Sequence, residues 1–250
     1  MRFWITGIFC LMVALSGWGQ IQHLCQYGVL PTDNITSLEV NPSLTAVDDS
    51  GGVSTSQLLL KSYHVFSEYT NWGVELPLAR FESPEKSVNG LGDTALNVTW
   101  AKPQEAHRMG YGVKMEFFVP TATDKRLGSG KLQASPSVFA VWTNGSGWYV
   151  AAGYKHYVSM VGDHARDDIN HGRLRGNISY LSENKWWVQT NWYYYQNFRE
   201  SGQMEFVPEL ELGTLVNEGT AFYINGSTHA AGNWKSKDWS LGVGFKVLYL

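Results

Sequence analysis

The sequence predicts an all-β chain, a single transmembrane antiparallel up-and-down β-barrel of about 12 strands. Three observations predict it. Apolar and polar residues alternate with period two over long segments. Short and long connections alternate between those segments. Aromatic residues gather at segment ends, at Trp72, Phe81, Trp100, Trp142, Trp148, Trp186, Trp239 and Tyr249.

The alternation is plainest over 109–119. Met109, Tyr111, Val113, Met115, Phe117 and Val119 share one phase, with Lys114 and Glu116 on the other. A helix would scatter those charges around its apolar stripe. The final segment repeats the pattern: Trp239, Leu241, Val243, Phe245, Val247 and Tyr249 oppose Ser240, Gly242, Gly244 and Lys246. The same reading places strands near 38–48, 55–66, 70–81, 93–102, 108–120, 132–143, 147–160, 171–182, 185–198, 204–217, 221–230 and 239–250. Pro42 makes the first of these the weakest strand, because proline cannot donate to the ladder.

The gaps after even-numbered strands are short: Ser67–Tyr69, Pro103–His107, Asn144–Ser146, Glu183–Asn184 and Glu218–Thr220. Those after odd-numbered strands are mostly longer, as at 82–92, 121–131 and 161–170. That asymmetry requires an even strand count and both ends of the barrel chain at the short-turn rim. A soluble β-sandwich would alternate similarly, but strands of 10–14 residues exceed the globular norm of about five or six.

Residues 1–19 read as a signal peptide: Arg2, an apolar run Phe3–Leu15, then small residues. Residues 20–37 lack alternation and read as a periplasmic or plug segment, leaving 38–250 as the barrel. The expected location is therefore the bacterial outer membrane. Cys25 is the one cysteine left after cleavage, which excludes an internal disulfide. A net charge of −3 with 16% charged residues gives no basic stripe for nucleic acid.

"GLGDTALNVTW" (Gly90–Trp100), "FFVPTATDKRLGSGKLQASPSVFAVW" (Phe117–Trp142) and "VGDHARDDIN" (Val161–Asn170) resemble a bacterial outer-membrane family. That family is labelled "putative MetA-pathway of phenol degradation", and is related to the functional-amyloid secretion barrel FapF. The resemblance covers roughly Thr55–Leu250. It implies a 12-stranded barrel with a transport role and names no substrate. Outer-membrane barrels usually finish on Phe or Trp, the mark read by the insertion machinery. Here Tyr249 is followed by Leu250.

The polar phase supplies the candidate lumen. Lys114, Glu116, Lys155, Arg173, Arg175, Asn177, Gln189, Asn191, Glu205, Glu209, Glu211 and Lys246 all fall on it. Lys155, Arg173 and Arg175 form a basic sector and the three glutamates of 205–211 an acidic one. Two readings follow: a transverse field orienting a polar solute, or Arg173/Arg175–Glu ion pairs bracing a closed lumen. Asp163, His164, Asp167, Asp168 and His171 crowd one loop but match no defined cation-binding spacing, so no metal is expected. "LGSGK" (Leu127–Lys131) fails the phosphate-loop spacing. His171 and Ser179 share a face but lie about 26 Å apart at strand rise, and no enzyme is expected. The expected function is a channel for small molecules, hydrophobic or aromatic ones included. The alternatives are a secretion pore for an unfolded polypeptide and a closed scaffold acting through its outer loops. Expected partners are outer-membrane lipid, the insertion machinery and a small solute, with no cofactor.

Overall fold

The computed structural model describes residues 30–47, 52–103, 109–183, 185–200 and 202–249. The expected signal peptide, Cys25 and residues 20–29 lie outside the described residues. The strands are β1 (Thr36–Ala46), β2 (Ser54–Ser67), β3 (Thr70–Glu82), β4 (Ser87–Leu91), β5 (Thr94–Lys102), β6 (Met109–Val119) and β7 (Lys131–Thr143). They continue as β8 (Trp148–Gly162), β9 (Asn170–Leu181), β10 (Trp186–Asn197), β11 (Met204–Asn217), β12 (Thr220–Thr228), β13 (Ala231–Gly232) and β14 (Trp239–Tyr249).

Twelve of these form one antiparallel sheet that closes on itself, because β1 pairs β14 from Thr36↔Tyr249 to Ala46↔Trp239. Closure removes every sheet edge, so a sandwich is excluded. Pro42 is accommodated where the β1–β14 pairing lapses after Val40 and resumes at Ser43.

The two short strands correct the expected loops. Within 82–92, β4 pairs the far end of β3 (Leu78–Glu82), continuing the line of β5, which pairs Thr70–Glu75. The break between β4 and β5 has a cause. Gly92 N–H bonds back to Pro77 O at 2.8 Å. The Asp93 carboxylate turns aside to accept from Ser129 N (2.6 Å) and Ser129 Oγ (2.7 Å). A local irregularity thus redirects one side chain to hold the neighbouring loop. In the same way β13 hydrogen-bonds β11 within the connection to β14.

The alternation resolves into two faces. Outward side chains such as Leu96, Val98, Met115, Phe117, Leu210, Leu212, Leu241 and Phe245 remain exposed along the strand middles. At the short-turn rim Trp72, Trp100, Trp142, Trp148 and Trp186 form a ring, buttressed by Tyr111 against Trp100 (5.9 Å) and Tyr180 against both Trp148 (5.0 Å) and Trp186 (5.4 Å). Phe81 is an exception to the expected belt: it falls on the opposite phase of β3 from Trp72.

The inward face is polar and tightly fitted. Inward glycines sit beside inward aromatics on neighbouring strands. A Cβ at Gly244 would lie 2.0 Å from the Tyr223 ring, and one at Gly73 would lie 2.5 Å from the Tyr63 ring. Each missing side chain lets a tyrosine lie across the next strand, which seals the wall and carries its hydroxyl further round the lumen.

Candidate functional site: the barrel lumen

The inward side chains form two dissimilar walls. The first spans β14, β1, β2, β3 and β6 and reaches Lys155 on β8. Glu39, 4% exposed, is its hub. It accepts from Lys61 Nζ at 2.6 Å and from the Tyr223 hydroxyl at 2.7 Å, and pairs with Lys246 Nζ at 3.2 Å. Tyr223 reaches Glu39 from two strands away, through the space at Gly244. Tyr63, lying over Gly73, donates to Glu75 at 2.5 Å. Lys114 pairs with Glu116 at 2.7 Å and with Glu75 at 3.9 Å. Lys155 pairs with the second oxygen of Glu116. Four lysines therefore share Glu39, Glu75 and Glu116.

The second wall spans β9, β10 and β11 and holds arginine without carboxylate pairing. Arg173 lies over the Tyr157 ring at 5.8 Å and the Tyr193 ring at 5.2 Å. Arg175 donates from Nε (3.0 Å) and Nη2 (2.8 Å) to the same Asn191 Oδ1. Asn177 donates to that oxygen too, and Asn191 Nδ2 donates to Glu209 at 2.9 Å. Ser179 links Asn177 to Gln189. Glu211 accepts from Trp187 Nε1 at 2.9 Å. The expected Arg173/Arg175–Glu ion pairs are therefore absent among the described residues: asparagine and tyrosine intervene. The acidic sector is also less uniform than expected. Glu205, 1% exposed, bonds His229 Nδ1 (3.1 Å), Ser236 N (3.0 Å) and Ser236 Oγ (2.7 Å). It pins the loop before β14 rather than facing free space.

That loop inserts Trp234 at the long-loop rim. Trp234 meets His171 edge-on at 5.2 Å and Tyr195 at 6.3 Å. His171 stacks on Tyr157 at 4.4 Å, and Tyr157 neighbours Phe118 at 6.2 Å. A chain of aromatic rings thus borders that end of the lumen.

At the short-turn end, residues 30–35 lead into β1 across the mouth. Leu30 is buried against Val141 and Ala151, on β7 and β8, far round the barrel from β1. A cavity of about 380 Å³ lies between this segment and the two walls, lined by Lys61, Lys114, Lys155, Arg173, Arg175 and Lys246 among others. A second, of about 290 Å³, faces Gln189, Asn191, Glu209, Glu211 and Tyr223. Glu39, Lys61, Arg175 and Lys246 border both cavities.

All twelve residues singled out from the sequence lie on the inner face. Sequence reasoning missed Glu39, Lys61, Tyr63 and Glu75, which the same two-residue phase would have found had it been followed through β1–β3. It also missed Trp234, for which a loop sequence carries no phase. In the 163–168 loop two of the three acids are engaged by cations: Asp168 bonds Lys131 at 2.8 Å and Arg199 at 3.0 Å, and Asp163 pairs with Arg166 at 3.6 Å. Lys131 and Arg199 hold the Asp168 carboxyl below its ordinary range. His171 and Ser179 are separately engaged, by ring stacking and by amide hydrogen bonds.

No family model and no curated protein matches the chain. Solved structures do. The COG4313 outer membrane channel from Pseudomonas putida F1 superposes with a TM-score of 0.69 at 12% identity, over 92% of this chain and 100% of that one. NanC porin gives 0.60 at 14% identity, over 85% and 100%. KdgM porin in complex with disordered oligogalacturonate gives 0.59 at 10% identity, over 86% and 99%. The chain has the fold of outer-membrane channels. At these identities the likeness is one of fold alone.

Proposed function

We propose that this chain is a passive outer-membrane channel for small solutes. The observation that carries the reading is the pairing of an outward apolar band, rimmed by tryptophan, with an inner wall of charged side chains around two cavities. The first suits a bilayer, where only a closed barrel satisfies strand hydrogen bonds. The second suits a polar path through it. In that setting the short-turn rim is periplasmic and the long loops are extracellular. The resemblance to the phenol-degradation outer-membrane family supports the same role, as does the shared fold with three channels and porins.

The size of the space favours a small solute over an unfolded polypeptide. Cavities of about 380 and 290 Å³ match small-molecule sites. Glu39 and Glu116, each 4% exposed, are held in ion-pair networks that project into the lumen. A polypeptide would need those networks dismantled.

Planar-bilayer recording of the refolded barrel tests the reading. Discrete conductance steps are expected, larger after deletion of residues 20–35. Silence from both proteins would favour the closed scaffold.

A further inference from the structure

We infer that the 380 Å³ lumen cavity above residues 30–35 is a binding site for an organic anion, a carboxylate carried on a ring. The inference rests on the channel reading for access to the site, and on the cavity alone for its chemistry.

Charge imbalance comes first. Among the described residues, six cationic side chains line this cavity: Lys61, Lys114, Lys155, Arg173, Arg175 and Lys246. The carboxylates that line it are Asp33 and Glu39. Glu75 and Glu116 stand behind Lys114 and Lys155 and reduce the excess without cancelling it. The adjoining cavity is balanced, with Lys61, Arg175 and Lys246 against Glu39, Glu209 and Glu211. Glu39, Lys61, Arg175 and Lys246 border both spaces, so the charges peculiar to the first are Lys114, Lys155 and Arg173 against Asp33. Rings of Arg and Lys favour anions in a pore, and low-dielectric walls concentrate their field.

Arg173 supplies a specific contact. It lines the cavity, and its Nε is buried without a hydrogen-bond partner. An unpaired buried donor is costly, and it is the kind of group a ligand satisfies. Tyr157 and Tyr193 hold the guanidinium plane by their faces. Tyr195 hydrogen-bonds the same guanidinium, and a guanidinium on a cavity wall has the geometry for two parallel bonds with a carboxylate.

The rest of the wall suits an organic body. Tyr63 and Phe139 contribute rings, and Leu30, Ile35 and Ala151 contribute apolar surface. A bare inorganic anion would leave these faces wet. A planar ring would cover them while its carboxylate reached the cations.

Benzoate is the probe, with its neutral isostere benzamide and the cation benzylammonium as controls. Calorimetry on the folded full barrel in detergent is expected to show benzoate binding, with benzamide and benzylammonium at least about tenfold weaker. Arg173→Gln should weaken benzoate by at least about tenfold. Arg175→Gln, on the same cavity wall, serves if Arg173→Gln does not refold. Bilayer recordings in a KCl gradient should show chloride preferred over potassium. Benzamide binding as tightly as benzoate, or no benzoate binding to the folded barrel, overturns the inference. Cation selectivity overturns it as well. Benzoate binding by a barrel that never conducts would sustain the site and sink the channel reading, so the two failures are distinguishable.

Discussion

The two walls of this lumen treat their cations differently. In the lysine wall every cation meets a carboxylate: Lys61 and Lys246 at Glu39, Lys114 and Lys155 at Glu116. In the arginine wall Arg173 meets tyrosine rings and Arg175 meets an asparagine oxygen. The difference follows from side-chain chemistry. An ammonium is strongly hydrated and comes out of water only against a negative charge, whereas a guanidinium is weakly hydrated and stacks on rings. It teaches a division of labour: the lysine wall spends its charge internally as a brace, and the arginine wall keeps its charge for whatever enters.

The strongest test of this division removes a carboxylate that two lysines share. Glu116→Gln leaves Lys114 and Lys155 without their shared partner, although Glu75 remains 3.9 Å from Lys114. Stranding buried charge in this way should cost about 3 kcal/mol. The midpoint of urea unfolding in detergent, followed by the mobility shift of folded barrel on cold gels, measures it. An unchanged midpoint would mean that the lysine wall is not a brace.

On the arginine side the largest expected effect is local. Glu205→Gln keeps an acceptor for Ser236 but loses the charge that faces both its hydroxyl and His229. We expect a loss of about 1–2 kcal/mol, expressed as faster hydrogen exchange in 229–238 and weaker quenching of Trp234. Global stability should move less than in Glu116→Gln. If the two substitutions destabilise equally, the walls do not differ as argued.

Arg175→Gln should be milder still for folding. Asn191 Oδ1 keeps its bond from Asn177, so about 1 kcal/mol or less is lost. Its effect should appear in anion selectivity. A brace would show the reverse, with folding impaired and selectivity intact.

Much of this architecture was legible in the sequence because a strand has one structural variable, the phase of its side chains. Once Lys114 and Glu116 were assigned inward, the closed sheet left no freedom for Arg173 or Lys246. Partner choice was not legible. Lys155 and Arg173 are direct neighbours across β8 and β9 and share the face of Tyr157, yet only Lys155 also takes Glu116. Those outcomes depend on how far each side chain reaches across the lumen, which the phase does not encode. The reach of Tyr223 to Glu39 needed Gly244 on the strand between them, a three-strand coincidence. The β4 strand escaped notice because five residues with a glycine and an asparagine carry too little alternation to read.

The smallest expected effect lies where the rims of the two walls are tied. Asp168 bonds Lys131 on β7 and Arg199 just beyond β10, so its carboxylate joins the lysine side to the arginine side above the lumen. Those two cations hold its carboxyl below the ordinary value of 3.8. A carboxyl whose pKa is lower folded than unfolded contributes fully above the unfolded value, and loses that contribution as pH falls through the folded one. The tie should therefore be intact at neutral pH and loosen only below pH 3.8. The reporter is the Ile169 amide, which bonds Ser159 Oγ at 3.0 Å directly beside Asp168. Its exchange protection, corrected for intrinsic rate, should fall in that acid window and not between pH 5 and 8. Asp168→Asn should show low protection at every pH. Because the carboxylate is largely exposed, salt should mimic acid in part. A tie that resists both would have to be held by the backbone of the loop, and the two walls would then be coupled by geometry rather than by charge.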